Sequence, residues 1–98
     1  MSHRFGKEKF YFALLDLVAP GDIHSRVSSA LSQHLFHIKE EEDLPEAVRN
    51  NYVEFKNSLH IESAHDGHVT EVINNMSEVD AEKVAQNIVA LYEKVIVG

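Results

Sequence analysis

The sequence predicts an all-α protein, a compact bundle of four main helices and one short helix. Apolar residues recur at spacings of three and four along most of the chain, which is the period of one helix face. Strand signals are scarce, since only residues 10–15 combine aromatic and aliphatic side chains in a short run, and a lone strand has no partner. A length of 98 residues is that of one domain. We therefore expect a single helical domain over residues 1–98.

The first helix is apolar on nearly every side. Residues 10–19 form an apolar run that only Asp16 interrupts, and Pro20 and Gly21 end it. Arg4 and two lysines precede this run, but the interrupting aspartate and the proline do not fit a secretory signal. The run is also half the length that a membrane span needs. Its apolar members are Phe10, Tyr11, Phe12, Leu14, Leu15, Leu17 and Val18.

The second and third helices are marked by capping residues. Asp22 is placed to cap the second helix by accepting a hydrogen bond from a free backbone N–H. Helical periodicity then continues from Ile23 to Ile38, and the acidic run at residues 40–43 stops it. Asp43 with Glu46 resembles a capping box for the third helix, with Pro45 in the first turn. The third helix has the apolar face Val48, Tyr52, Phe55 and Leu59, and Asp66 and Gly67 are expected to end it.

The last two helices are separated by a second capping box, Ser77 and Asp80. A short helix is predicted before it from Val69, Val72, Ile73 and Met76. The helix after it, over residues 78–97, would be about 30 Å long, enough to run the length of the bundle.

Two adjacent apolar stripes follow the last helix, which predicts burial on about two sides. The first stripe is Ala81, Val84, Ile88, Leu91 and Val95, and the second is Ala85, Val89, Tyr92 and Ile96. A bundle of four or five short helices cannot enclose both this helix and the first one, so a second subunit is expected to cover them. The sequence therefore predicts a homodimer with the interface residues Phe12, Leu15, Val84, Ile88, Leu91 and Val95.

Composition narrows the choice of partners. The net charge of −7, with nine scattered basic residues, argues against nucleic-acid binding and against anionic membrane surfaces. The absence of cysteine excludes a thiol nucleophile and the cysteine-based zinc sites. With 44% hydrophobic and 26% charged residues, the chain is expected to be a cytoplasmic globular protein.

Seven histidines raise the question of a metal site. Residues 60–68 hold five potential nitrogen and oxygen ligands, and imidazole with carboxylate suits zinc, nickel or iron. Helical spacing places Glu62 and His65 on one face, but His68 follows a glycine, so no regular element brings three ligands together. His34, His37 and Glu41 share a helical spacing that equally describes the boundary of an amphipathic helix. We therefore predict no metal, with Glu62, His65 and His68 as the alternative ligand set.

No catalytic motif stands out, and no cofactor is indicated. The four glycines are isolated, so no glycine-rich loop can hold a phosphate. Ser63, His65 and Asp66 are sequence neighbours, whereas a catalytic triad needs residues from separated elements. The sequence favours a small interaction module, either a homo-oligomer or a subunit of a larger assembly that binds a further, unidentified protein. The alternative is a metal-dependent enzyme or metal-binding protein that uses the histidine-rich turn.

Overall fold

The computed structural model describes residues 4–61 and 66–97, and this part of the chain contains helices and no β-strand. The helices are α1 (Arg4–Leu17), α2 (Ile23–Gln33), α3 (Glu40–Asp43), α4 (Glu46–Ser58), α5 (Asp66–Asn74) and α6 (Glu78–Val97), with one 3₁₀ turn at Leu35–His37. Four of them are main helices and α5 is the predicted short one, so the all-α bundle is confirmed. The single turn of α3 is an addition that the sequence pattern did not predict.

The core lies where α1, α2 and α6 pack against one another. Helix α5 covers α2 on one side, and α4 packs on α6. A 20-residue helix is about 30 Å long, so α6 spans most of the 37 Å long axis of the molecule. The largest fully buried side chains come from all of these elements: Tyr52, Phe10, Leu31, Leu35, Leu44, Ile73, Ile88, Val27, Val48, Val69 and Val95.

The junction between α1 and α2 is fixed by polar contacts. The Asp22 carboxylate accepts a hydrogen bond of 2.7 Å from the Ser25 backbone N–H, which confirms the predicted cap. That bond holds the pKa of the Asp22 carboxyl below its usual range. The Arg26 guanidinium donates to the Leu17 carbonyl at 2.7 Å and to the Gly21 carbonyl at 3.1 Å. An arginine of α2 therefore satisfies a carbonyl that the end of α1 leaves unpaired.

The acidic run is a turn of helix, not a break. Helix α2 ends at Gln33 instead of continuing to Ile38, and α3 forms from the acidic residues. The Lys39 N–H donates to the Asp43 carboxylate at 2.8 Å, so Asp43 stabilises the start of α3. The predicted Asp43–Glu46 capping box is therefore wrong. Pro45 occupies the N-cap position of α4 without a side-chain cap hydrogen bond.

The end of α4 also differs from the prediction. The helix ends at Ser58, and His60 has a positive φ of 56°, in the left-handed region that ends helices. Asp66 and Gly67 belong to α5 rather than to a break after α4. The predicted apolar face of α4 is confirmed, because Val48, Tyr52, Phe55 and Leu59 are all buried.

The junction between α5 and α6 follows the predicted cap. The Ser77 hydroxyl accepts a hydrogen bond of 3.1 Å from the Asp80 N–H, which is one half of the capping box. The imidazole Nε2 of His24 lies 2.9 Å from the Met76 carbonyl oxygen. The start of α2 is therefore linked to the residue next to the cap of α6.

Candidate interaction surface

Helix α1 presents an apolar face to solvent. Its inner side is formed by Phe10, Ala13 and Leu17, which are buried in the core. Its outer side carries five large apolar residues that are between 44% and 79% exposed: Phe5, Tyr11, Phe12, Leu15 and Val18. We call these five residues the α1 outer face. Single exposed apolar residues are ordinary, but four on one 14-residue helix, with Val18 directly after its end, form a candidate contact surface.

Two of the six predicted interface residues lie on the α1 outer face, and four do not. Phe12 and Leu15 are both exposed. Val84, Ile88, Leu91 and Val95 are at most 7% exposed, because the stripe to which they belong faces α1, α2 and α4 of the same chain. We therefore revise the predicted interface, since side chains that fill the core of one subunit cannot also contact a second one.

The second stripe of α6 is the one that reaches the surface. Val89 and Ile96 are exposed, whereas Ala85 and Tyr92 are half-buried and pack on the core. Acidic residues lie beside the exposed pair, since Glu82 and Glu93 are also exposed. The prediction that α6 has two apolar stripes is thus correct as a pattern, but only two members of the second stripe are exposed. Val79 and Val97 are exposed as well and lie at the two ends of α6.

The Phe12 ring packs on the imidazole of His34, which in turn contacts a carboxylate. The Nε2 atom of His34 lies 2.9 Å from a carboxylate oxygen of Asp16, which joins α2 to α1. The Phe12 ring lies over this imidazole, with 5.8 Å between the ring centroids and 31° between the ring planes. Tyr11 adds a third ring, 5.9 Å from that of Phe12. Because a contact residue that is already ordered loses less entropy on binding, this stack favours association.

The charges of α1 are arranged against its helix dipole. The first turn has no acidic residue and the last turn has no basic one, although the dipole favours the opposite arrangement. Arg4 pairs with Glu8 at 3.1 Å, and the Lys9 ammonium lies 5.1 Å from the centre of the Phe5 ring. Lys7 is exposed. In a chain of net charge −7, the N-terminal half of α1 is therefore a local basic region.

The predicted alternative metal ligands are only partly within the described residues. Glu62 and His65 lie outside them, so the structure does not place these two side chains. His68 is half-buried on α5, and His60 is exposed after α4. Within residues 4–61 and 66–97, no three His, Asp or Glu side chains lie close enough together to hold a metal ion.

The second histidine cluster is divided by the end of α2. His34 is the half-buried residue that ends α2, while His37 is exposed in the 3₁₀ turn and Glu41 lies on α3. The three residues are therefore not on one continuous helix face. His34 acts as a boundary histidine with a carboxylate partner, in agreement with the sequence-based interpretation.

Two grooves lie away from α1. One groove, of about 390 Å³, runs between α4 and α6 and has a largely apolar lining: Ala47, Val48, Asn51, Glu93, Lys94 and Val97. The other, of about 230 Å³, runs between α2 and α5 and is lined only by uncharged polar side chains: Ser25, Ser28, Ser29, Ser32, Gln33, Thr70 and Asn74. The serines of this second groove are small side chains on α2, which allow α2 and α5 to approach closely. Neither groove brings together the groups that a catalytic centre needs.

No described helix combines the length and the apolar composition that crossing a bilayer requires. The most unusual feature of the described residues is the α1 outer face, with the His34–Asp16 contact beneath Phe12 and its basic flank. No family model, curated protein or solved structure matches the chain, so a function for it has to be inferred from its own surface.

Proposed function

We propose that the chain is a small cytoplasmic interaction module that forms a homodimer through the α1 outer face. One observation carries the proposal: five large apolar side chains, three of them aromatic, are exposed on one helix of a small domain and on the residue that follows it. Exposed apolar patches on a soluble domain mark contact sites, and aromatic residues are enriched at such sites. A second copy is the simplest occupant, because two-fold homodimers are the commonest oligomers.

The surface is suited to binding rather than to chemistry. Its side chains are hydrocarbon and phenol groups, which supply contact area and little acid–base or nucleophilic capacity. The Phe12 ring is held over His34, so an aromatic anchor is in place before a partner arrives. The net charge of −7 disfavours a nucleic-acid partner, because few phosphates could be neutralised together.

Light scattering on untagged protein tests the proposal. The chain has a mass of 11.1 kDa, so the homodimer is expected at twice that value at micromolar concentration. Leu15→Glu places a charge on the exposed face, and we expect it to give a monomer with unchanged helix content by circular dichroism. Val79→Glu is the matched control, because Val79 is exposed on the first turn of α6.

The light-scattering experiment has three distinguishable outcomes. A monomeric wild-type chain at micromolar concentration would overturn the homodimer. A dimer that both glutamate variants leave intact would place the interface away from α1. A dimer that Leu15→Glu dissociates and Val79→Glu does not supports the proposed surface.

A further inference from the structure

We infer that the two copies meet through antiparallel packing of α1 against α1 of the second copy, around a two-fold axis level with Leu14. This inference rests on the proposed homodimer and specifies its geometry. An isologous contact uses the same residues on both copies. A row of exposed residues on one helix can therefore contact its own copy when residues that fit each other lie at equal distances on either side of the two-fold axis.

The positions of the exposed apolar residues fix the level of the axis. Four of the five residues of the α1 outer face, Tyr11, Phe12, Leu15 and Val18, are centred on residue 14, and Phe5 lies beyond this group toward the start of the helix. With the axis there, Phe12 lies opposite Leu15 of the second copy, and Tyr11 lies opposite its Val18. Each pair is level to within about one residue, a rise of about 1.5 Å. The exposed apolar cluster of each helix is thereby covered by the same cluster of the other.

The charges of α1 favour the antiparallel direction. Lys7 and Lys9 lie in its N-terminal half, while Asp16 lies near its C-terminal end and Asp22 follows it. In the antiparallel arrangement, Lys7 and Lys9 lie beside the C-terminal end of α1 of the second copy, since α1 ends at Leu17. The basic half then lies beside the negative end of the other helix dipole. A parallel arrangement would place the two basic N-terminal halves of α1, which are also the positive ends of the two helix dipoles, side by side.

The outer stripe of α6 is a weaker candidate for the same contact. It exposes only Val89 and Ile96, and Glu82 and Glu93 lie beside them. Pairing this stripe with itself would bring carboxylates close to carboxylates in a chain that is already acidic. A typical stable interface covers about 800 Å² on each partner, which is about one seventh of the 5891 Å² surface of this chain. The α1 outer face exposes five large apolar side chains, against two on the outer stripe of α6, and is the stronger candidate for such an interface.

Engineered cysteines test the geometry directly, because the chain contains no cysteine. Leu15→Cys lies one residue from the axis, so the two thiols are close and mild oxidation is expected to link the copies. Phe5→Cys lies nine residues from the axis, so its two copies are about 27 Å apart, beyond the reach of a disulfide. Val89→Cys is the matched control on α6. We expect linkage of Leu15→Cys to be at least tenfold faster than that of the other two.

The results distinguish the inference from the proposed function. A wild-type chain that is monomeric in light scattering would contradict both the proposed homodimer and its inferred geometry. A dimer in which Phe5→Cys links as fast as Leu15→Cys contradicts the antiparallel direction. A dimer that only Val89→Cys links places the contact on α6. In the last two cases the homodimer stands and its geometry is different.

A charge reversal gives a second test that does not depend on thiols. Lys7→Glu places a carboxylate in the first turns of α1, where the helix dipole favours it within the monomer. In the antiparallel dimer the same change puts the carboxylate near the C-terminal end of α1 of the second copy, the negative end of that helix dipole, so we expect dimerisation to weaken about threefold to tenfold at low salt. Lys83→Glu, on the exposed side of α6, is expected to have no such effect. Equal weakening by both variants would show a general charge effect and contradict the inferred contact.

Discussion

At the scale of single residues, the Tyr52 hydroxyl is the clearest polar link in the core. The side chain is fully buried, and its hydroxyl donates to the Leu35 carbonyl in the 3₁₀ turn after α2. Its ring packs edge-on against Phe10, with 6.3 Å between the centroids. One phenol therefore connects α4, α1 and the segment after α2. Burial raises the pKa of this phenol well above its usual value.

Tyr52→Phe keeps the ring and removes the hydrogen bond. We expect the free energy of unfolding to fall by about 1 kcal/mol at pH 7. The raised pKa means that the folded state keeps the phenol proton, so this contribution is complete below pH 10.0, the ordinary pKa of tyrosine, and is lost as pH rises above it. Urea denaturation of both proteins at pH 7 and at higher pH measures the difference. A difference that grows with alkaline pH would contradict the direction of the shift.

Gly6 is required by a close approach between backbones. It is buried on α1, and a methyl group at its Cα would overlap the Asp43 carbonyl oxygen of α3. Alanine favours a helix over glycine by about 1 kcal/mol, but overpacking against backbone costs about 1–3 kcal/mol. We expect Gly6→Ala to destabilise the protein in chemical denaturation. Asn50→Ala on the exposed side of α4 is the control and should be neutral or stabilising; a stabilised Gly6→Ala would show that α3 can move away.

At the scale of elements, α6 depends on the cap at its start. The Ser77 hydroxyl accepts from the Asp80 N–H, and losing such a cap costs about 0.5–2 kcal/mol. We expect Ser77→Ala to lower the free energy of unfolding by that amount, with Asn75→Ala as the exposed control. Asp80→Ala is expected to destabilise as well, and the double variant should cost less than the sum if the two residues form one capping box. Strict additivity would show that they act independently.

Elements that begin with a side-chain cap could be predicted from the sequence. Asp22 and Ser77 cap through their own side chains, so their chemistry shows in the local sequence. The single turn of α3 was missed because its last residue, Asp43, packs against Gly6, which is distant in sequence. The end of α4 was missed because His60, a residue with no strong turn preference, adopts the positive φ there.

The candidate surface was predicted only in part, for a related reason. Periodicity shows that α1 and α6 each have more apolar residues than one neighbour can cover, but it does not show which stripe the chain itself uses. The structure assigns Ile88 and Leu91 to the core and leaves Val89 exposed. The support of Phe12 by His34 could not be foreseen, because it depends on how α2 ends against α1.

At the scale of the whole molecule, the alternative metal-binding function can be tested by measuring the metal content of the protein. Glu62, His65 and His68 are close in sequence, but the sequence pattern predicts no regular element that brings the three together, and Glu62 and His65 lie outside the described residues. We expect no stoichiometric zinc, nickel or iron in untagged protein by elemental analysis, because a specific site needs a complete ligand set. One equivalent of metal that disappears in a His65→Ala, His68→Ala variant would reverse the order of the two functional hypotheses.

The packing of α1 against α6 has a consequence for synthesis. The end of α1 and the start of α6, Leu17 and Glu78, are 61 positions apart in sequence. At roughly 5–20 residues per second, the ribosome makes α6 about 3–12 s after α1. During that interval α1 lacks one of the helices that cover its inner side, and its outer face is apolar as well. The nascent chain therefore exposes an apolar helix for seconds. Chaperones that bind apolar segments are expected to bind α1 early in translation.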